Sequence, residues 1–478
     1  MDNNTLKKEL SPMHVWAIAF GCIIGWGSFI NPGKKFLPNS GVAGTTIAMI
    51  LGALVMVIIA FSYAYMVPKF PKAGGEFTFT KNCFGMKPAY LCGWFLVAAY
   101  LTNVPMNSTA IGLIVDGIDG AADILKFGFH YSIAGFEVWL GEILLASFIL
   151  ILFGVLNIIG VKKAGFVQTV LAATLAICAF TLFFAAIFSA KAKGINMQPL
   201  WGFNKAAALE AGAYSDAFAN KNIAAAILAT FAIAPWAFVG FDTIPQAAEE
   251  FKFSYKKVMG IMVVAIAFGC FVYSSNNAVA AAALENWPER VMAGDWVLLI
   301  AAEELLGVFG KVLIGLGVSC AVLSGIMGFY LASSRLMFSM SRDGFLPKWF
   351  GVLDEKYSTP KNAMIFCILV SLSGPILGRE ALGWFVDMSA IGASIGYFFT
   401  SASTLVTLKK DKDGSGALKV FAILGVVFSL IFVVLQLIPI PGLEGVHFGK
   451  ESYIMLLVWI AIGAIFYALQ YKNFKVEE

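Results

Sequence analysis

Apolar residues run through this chain in blocks of about twenty, the length a helix needs to cross the hydrocarbon core of a membrane. Short polar or basic segments separate the blocks. The pattern predicts helical spans over residues 13–31, 43–67, 88–115, 139–160, 165–189 and 223–248. A second set follows over 257–283, 308–335, 362–378, 381–407, 418–439 and 452–471. Asp295 to Glu304 reads as a helical lead-in to the eighth span. The expected fold is an all-α polytopic membrane protein of about twelve spans. The first block is read as helix 1 and not as a removed signal peptide, since no run of small residues follows it.

Two blocks carry break signals. In the first, Gly21, Gly25 and Gly27 fall within seven residues. In the sixth, Pro235 and Gly240 precede Asp242, and Pro245 follows. Each Gly or Pro weakens a helix, and broken backbone at membrane depth needs protein or a polar cavity to receive its freed groups. A half-helix start offers N–H groups to a carboxylate, and a half-helix end offers carbonyls to an ammonium. Two facing breaks suit a zwitterion. The plainer alternative is close helix packing, because Gly21 and Gly25 also fit GxxxG. The two breaks together favour binding.

The breaks fall in spans 1 and 6, which divides the first ten spans into two units of five. An odd number per unit inverts the second unit, as in secondary transporters. The expected organisation is an inner segment 1–12, a first repeat 13–189, an outer loop 190–222 with a short helix, a second, inverted repeat 223–407, and spans 11 and 12 with the C-terminus over 408–478.

Composition agrees with this picture. The chain has 478 residues, of which 59% are hydrophobic and 13% charged. A soluble domain carries roughly 25% charged residues. The net charge of +4 and the lack of a basic stripe exclude nucleic acid as the expected partner. The seven cysteines form no CxxC pair, so neither a disulfide framework nor a metal cluster is expected. With the N-terminus inside, 22 of the 33 Lys and Arg fall on the cytoplasmic side, including the 68–87 and 335–361 segments. Both termini and the 409–416 loop are then cytoplasmic. Asp116, Asp119, Asp123, Glu137, Glu285 and Glu289 fall outside.

At this point the chain resembles the amino acid–polyamine–organocation family of secondary transporters. The resemblance rests on Gly21 to Gly27, on Trp236-Ala237-Phe238-Val239-Gly240-Phe241-Asp242 with Glu249-Glu250-Phe251-Lys252, on Asn157 to Lys162, and on Ser334-Arg335 with Ser341 to Pro347. It covers nearly the whole chain. It implies the fold of the sodium-coupled leucine and neurotransmitter transporters, with an amino acid or related amine as cargo. Backbone at Ile24, Gly25, Trp26, Gly27 and Ser28 would hold the substrate carboxylate. Backbone at Trp236, Phe238 and Gly240 would hold the amine, with the Trp236 ring as a gate. The chain departs from the pattern at Trp26, where many members carry Ser or Thr. The Trp26 side chain is expected to fill space between helices and point away from the carboxylate. Some proton-coupled members carry a lysine in span 5, at about Thr174 here, but this chain has no Lys between Lys163 and Lys191. Sodium, a carboxylate or exchange remain as alternatives.

Asp242 is the expected coupling residue, since an acid at membrane depth is costly unless it functions. Glu249 and Glu250 are expected as inner-gate partners of Arg335 or Arg342, in exposed pairs of about 0–1 kcal/mol. Asn103 and Asn107 are candidate cargo contacts, and Ser324 and Thr174 a possible ion site. Asp387 is expected to be a hydrogen-bonded structural acid. No resident cofactor or metal is expected; a proton is the expected coupling ion and sodium the alternative. No nucleophile–histidine pair or metal cluster supports an enzyme. The expected function is alternating-access transport of a small neutral amino acid across a bacterial cytoplasmic membrane, by proton symport. The alternatives are exchange and sodium symport. The expected oligomeric state is a monomer or weak homodimer in lipid.

Overall fold

A computed structural model of the chain describes residues 5–117, 123–133, 136–378, 381–411, 415–440 and 447–474. Asp119 and the tip of the 409–416 loop lie outside the described residues.

Ser11 caps the first helix by accepting the His14 N–H at 3.2 Å, and Pro12 fits its first turn, where no N–H is needed. Helix α1 is Pro12–Ile23 and α2 is Gly27–Asn31. A π turn, Pro32–Phe36, leads into α3, Leu37–Met66. Gly41, at φ 62° and ψ −165°, turns the chain inside this stretch and separates the first two spans. Then come α4 (Gly75–Phe84), α5 (Met86–Leu101) and α6 (Asn103–Asp116). The strands β1 (His130–Ile133) and β2 (Phe136–Trp139) pair antiparallel. Among the described residues this small hairpin is the one pair of strands, and the hydropathy pattern did not indicate it.

Helices α7 (Leu140–Ile158) and α8 (Val161–Phe188) follow. The expected short helix of the 190–222 loop is α9 (Lys205–Ala211), capped by Asn204, which accepts the Ala207 N–H at 3.1 Å. The sixth span is in pieces: α10 (Ile223–Phe231), α11 (Ala234–Phe238) and α12 (Thr243–Gln246). Next are α13 (Val258–Ala282), α14 (Trp287–Ala293), α15 (Val297–Leu306) and α16 (Val308–Arg342). The lead-in expected for the eighth span is therefore a separate helix, because Gly307 at φ 64° breaks it from α16. The chain ends with α17 (Lys361–Ser371), α18 (Ser373–Leu377), α19 (Ala381–Lys410), α20 (Gly416–Leu437) and α21 (Lys450–Phe474).

Among the described residues, nine helices are long and apolar enough to cross a membrane, and Pro12–Ile23 and Lys361–Leu377 are shorter apolar ones. The outer face of α8 shows why lipid must cover it. Phe166, Ile177 and Phe188 are 66%, 65% and 83% exposed. Such a face is stable against acyl chains and not against water. The protein is an all-α polytopic membrane protein.

The bundle closes around α1 and the pieces of the sixth span. Gly240 has φ 140°, and a Cβ there would lie 2.7 Å from Cys22 Cβ and from the Ile23 nitrogen. The two interrupted spans thus touch backbone to backbone, a contact that only glycine permits.

Candidate functional site

Both predicted breaks are present. Helix α1 stops at Ile23, and Ile24 leaves the helical region at φ −98° and ψ 84°. Among the described residues, the N–H groups of Gly25, Trp26 and Gly27 have no acceptor in the protein. Ser28 turns inward: its hydroxyl donates to the Gly25 carbonyl at 3.0 Å, and its own carbonyl accepts Asn276 Nδ2 at 3.0 Å. Gly25 is half-buried while its neighbours on both sides are buried.

Asn107 is the nearest side chain to Gly25, with its Oδ1 3.4 Å from where a Cβ would stand. Among the described residues that buried oxygen has no partner, while the amide nitrogen donates to the Asn103 carbonyl at 2.7 Å. Asn103 in turn donates to Ser389 Oγ at 2.6 Å, so it positions Asn107. Unpaired donors on one element thus stand near an unpaired acceptor in an apolar bundle.

The sixth span is interrupted twice. The first interruption, at Ala232 and Ile233, lies before the proline-centred stretch that signalled it. Pro235 has no N–H, so the Phe231 carbonyl loses the donor four residues on. Among the described residues, neither the Phe231 nor the Ala232 carbonyl accepts a hydrogen bond. The second interruption follows Phe238. There Gly240 donates its N–H to Asp242 Oδ1 at 2.6 Å, and its carbonyl accepts the Thr243 N–H and hydroxyl at 3.1 and 2.6 Å. Gly240 therefore offers no free polar group and joins the two spans.

Trp26 and Trp236 meet between the breaks, with ring centroids 6.2 Å apart. Both are buried, and Trp26 Nε1 has no hydrogen-bond partner. Phe238 packs instead against Tyr273 at 6.5 Å, and the Tyr273 hydroxyl donates to the Ile23 carbonyl at 3.2 Å.

A matching family model, described as Amino acid permease, spans residues 10–466. The chain belongs to this family. It lies within the amino acid–polyamine–organocation superfamily, whose members are transporters and not enzymes. The chain is 28% identical over 369 residues to the Large neutral amino acids transporter small subunit 2 of Oryctolagus cuniculus, covering 77% of this chain and 64% of that protein, just under two thirds of its length. It is 24% identical over 476 residues to the Branched-chain amino acid permease BcaP of Bacillus subtilis, covering 97% and 93%. It is 23% identical over 480 residues to the Methylthioribose transporter of the same organism, covering 98% and 94%.

For a permease, the acid after the second interruption has unusual company. Asp242 is fully buried and accepts the Tyr100 hydroxyl at Oδ2, 3.0 Å away. The same hydroxyl lies 3.2 Å from Oε1 of Glu76, which is also fully buried. Tyr63 donates to Glu76 Oε1 at 2.7 Å, and Gln246 Nε2 donates to Oε2 at 2.5 Å. Sequence reasoning missed Glu76, Tyr63, Tyr100 and Gln246. One signal was available: Glu76 is the lone acid in the basic 68–87 segment and follows Gly74-Gly75. Those glycines, at φ 97° and 43°, let α4 start against Ser339 and Gln246 and turn Glu76 inward.

The inner gate differs from expectation in burial. Glu250 pairs with Arg335 at 2.8 Å, with side chains 2% and 0% exposed. Glu249 pairs with Arg342 at 3.1 Å and also accepts the Leu6 and Ala73 N–H groups. The expected exposed pairs are thus largely buried, because the N-terminal segment covers them: Glu9 and Leu10 donate their N–H groups to the Glu250 carbonyl, and the Leu10 carbonyl accepts the Lys252 N–H.

The other candidates lie apart. Ser324 donates to the Gly21 carbonyl at 3.2 Å, and Gln168 Nε2 donates to the Ala17 carbonyl at 3.1 Å, both steadying α1. Thr174 is half-buried on α8, and among the described residues no hydrogen bond joins it to Ser324 or α1. Asp387 accepts the Ser452 hydroxyl at 2.6 Å, as a structural acid would. Among the described residues, no cluster of three or more His, Cys, Asp or Glu could hold a metal. A groove of about 630 Å³, lined by Leu299, Val308, Lys311, Val312, Leu316 and Ser319 among others, shares no residue with the breaks.

Proposed function

We propose that the chain is a secondary active transporter of a small neutral amino acid, working by alternating access with proton symport. One observation carries this reading: three unpaired N–H groups at Gly25 to Gly27 stand beside the unpaired Asn107 oxygen, with unpaired carbonyls at Phe231 and Ala232 on the partner span. The N–H groups suit a carboxylate, whereas the Asn107 oxygen and the two carbonyls suit an ammonium. Such a site recognises the part common to all amino acids. Fixed charge is missing from its immediate lining, which favours neutral cargo. Two relatives are named for large neutral and branched-chain amino acids and a third for methylthioribose, so the side-chain pocket must be established by experiment.

The wider reading includes twelve spans, inverted repeats over 13–189 and 223–407, and cytoplasmic termini. The two interrupted spans in equivalent positions support it. The buried acid Asp242 beside the break supports proton coupling over sodium.

Purified protein in sealed vesicles tests this function. A thermal-shift screen across amino acids and amines identifies cargo, because a ligand specific for the folded state stabilises it by mass action. Uptake of that cargo driven by an inward proton gradient is the expected result. Uptake that requires internal substrate and ignores the gradient marks an exchanger. Uptake that needs sodium rejects the proton reading.

A further inference from the structure

Tyr100 has one hydroxyl hydrogen, yet its oxygen lies within hydrogen-bonding distance of two carboxyl groups, 3.0 Å from Asp242 Oδ2 and 3.2 Å from Glu76 Oε1. An ionised carboxylate only accepts. If both acids were ionised, one of these contacts would hold no hydrogen and would set two electron-rich oxygens against each other. The hydrogen inventory closes when one acid is protonated. Glu76 then donates to the Tyr100 oxygen, and Tyr100 donates to Asp242.

We propose that Glu76, Tyr100 and Asp242 form a proton-binding site in which the two carboxyl groups share one proton through the tyrosine hydroxyl. The transfer is balanced. The Glu76 O–H bond breaks as an O–H bond to Tyr100 forms, and the hydrogen Tyr100 held passes to Asp242. The reverse movement restores the first arrangement, and the net charge of the triad stays at minus one throughout.

The surroundings support a proton and not a larger cation. The remaining oxygens of both acids are held directly by Gly240 N–H at 2.6 Å and Gln246 Nε2 at 2.5 Å. The titratable groups facing the pair are Tyr63 from α3, Cys92 from α5, Cys22 from α1 and Tyr397 from α19, thiols and phenols that supply no positive charge. Among the described residues, no Lys, Arg or His forms an ion pair with either acid. Two uncompensated charges in one buried cluster would repel strongly, and one shared proton removes that repulsion. Tyr397 adds an independent sign. Its hydroxyl is buried without a partner, in a ring that packs on Tyr63 at 6.5 Å and on Phe241 at 5.5 Å. That is a spare polar group against the cluster, able to take up the hydrogen bond that rearrangement frees.

The site links α4 and α5 to the sixth span. A proton bound there joins them, and its loss sets the two acids against each other. This coupling role rests on the symport reading, whereas the shared proton does not.

Infrared spectroscopy of the purified full chain at neutral pH tests the site. A protonated carboxylic acid gives a C=O stretch distinct from that of a carboxylate, and it shifts in D2O. The expected result is that wild type shows such a band and that E76Q and D242N each lose it. In either variant the remaining acid keeps the Tyr100 O–H as a donor and is ionised. An acid-band region identical in wild type and both variants overturns the proposal. Should the variants fail to fold, wild type labelled with carboxyl-13C glutamate or aspartate gives the same information; a band that moves with neither label overturns it. Vesicle uptake is a separate readout. A band lost in both variants, together with uptake indifferent to the proton gradient, keeps the shared proton and rejects symport.

Discussion

Trp26 and Trp236, one from each interrupted span, pack ring to ring at 6.2 Å with their planes tilted by 55°. The contact bridges the two breaks. On the present reading the Trp26 backbone serves cargo while its indole fills space. Trp26→Ser should therefore cost about 3–5 kcal/mol of stability, as large-to-small changes at packed aromatics do. Its selectivity profile should stay nearly unchanged. Thermal stability and competition by amino acids of increasing size measure both. A broadened range of cargo with normal stability would place the ring in the pocket.

Gly240 joins the same two spans by backbone contact. Gly240→Ala should be severely destabilising, at about 1–3 kcal/mol for the strained backbone and about 1–3 kcal/mol for overpacking against Cys22 and Ile23. Gly260→Ala is the control, since nothing lies within 4 Å of its added methyl group. Melting temperature in detergent separates them, and a G240A protein as stable as wild type would refute the close approach.

Glu250 and Arg335 form a buried ion pair. Removing one partner strands the other charge, so Arg335→Met should cost about 3–5 kcal/mol, and adding Glu250→Gln should recover part of it. A double variant no better than R335M would show that the charge left on Glu250 is not the source of the loss.

Asp242→Asn should abolish accumulation against a gradient while sparing substrate exchange, because the cargo-facing backbone is untouched. Counterflow and gradient-driven uptake in the same vesicles give the two numbers. Normal accumulation in D242N removes this acid from coupling.

Lys69 and Asp411 form an ion pair between the segments after the second and tenth spans, which fixes those segments on one face. Lys193 and Glu285 do the same for two segments assigned to the opposite face. Lys69 holds the Asp411 carboxyl below its ordinary range. Cysteines introduced at Lys72 and Lys410, on a background without reactive cysteine, should escape an external impermeant label, while those at Lys193 and Glu210 should react. Strong external labelling at 410 would invert the assigned orientation.

The spans were legible because hydropathy depends on a local average, and lipid rewards that average at every position. The breaks were legible because Gly25, Gly27, Pro235 and Gly240 act on their own backbone. What the sequence hid were relations between distant residues. Tyr63, Glu76, Tyr100 and Gln246 meet only after α3, α4, α5 and α12 pack. The burial of the Glu249 and Glu250 pairs depends on the N-terminal segment lying across them, which no local pattern encodes. Gly240 was assigned to cargo for its position in a motif, yet both its polar groups are used internally.

That crossing of the N-terminal segment has a kinetic meaning. Leu6, Glu9 and Leu10 hold the inner end of the sixth span through their N–H groups, Leu6 on the Glu249 carboxylate and the other two on the Glu250 carbonyl, each bond to the carbonyl being worth about 0.5–1.5 kcal/mol. In an alternating-access cycle, opening toward that side must first unzip this short pairing. On the transport cycle proposed above, residues 6–10 would then act as a latch that never touches cargo. They would set how often that side opens, and leave what passes through it to the breaks within the membrane.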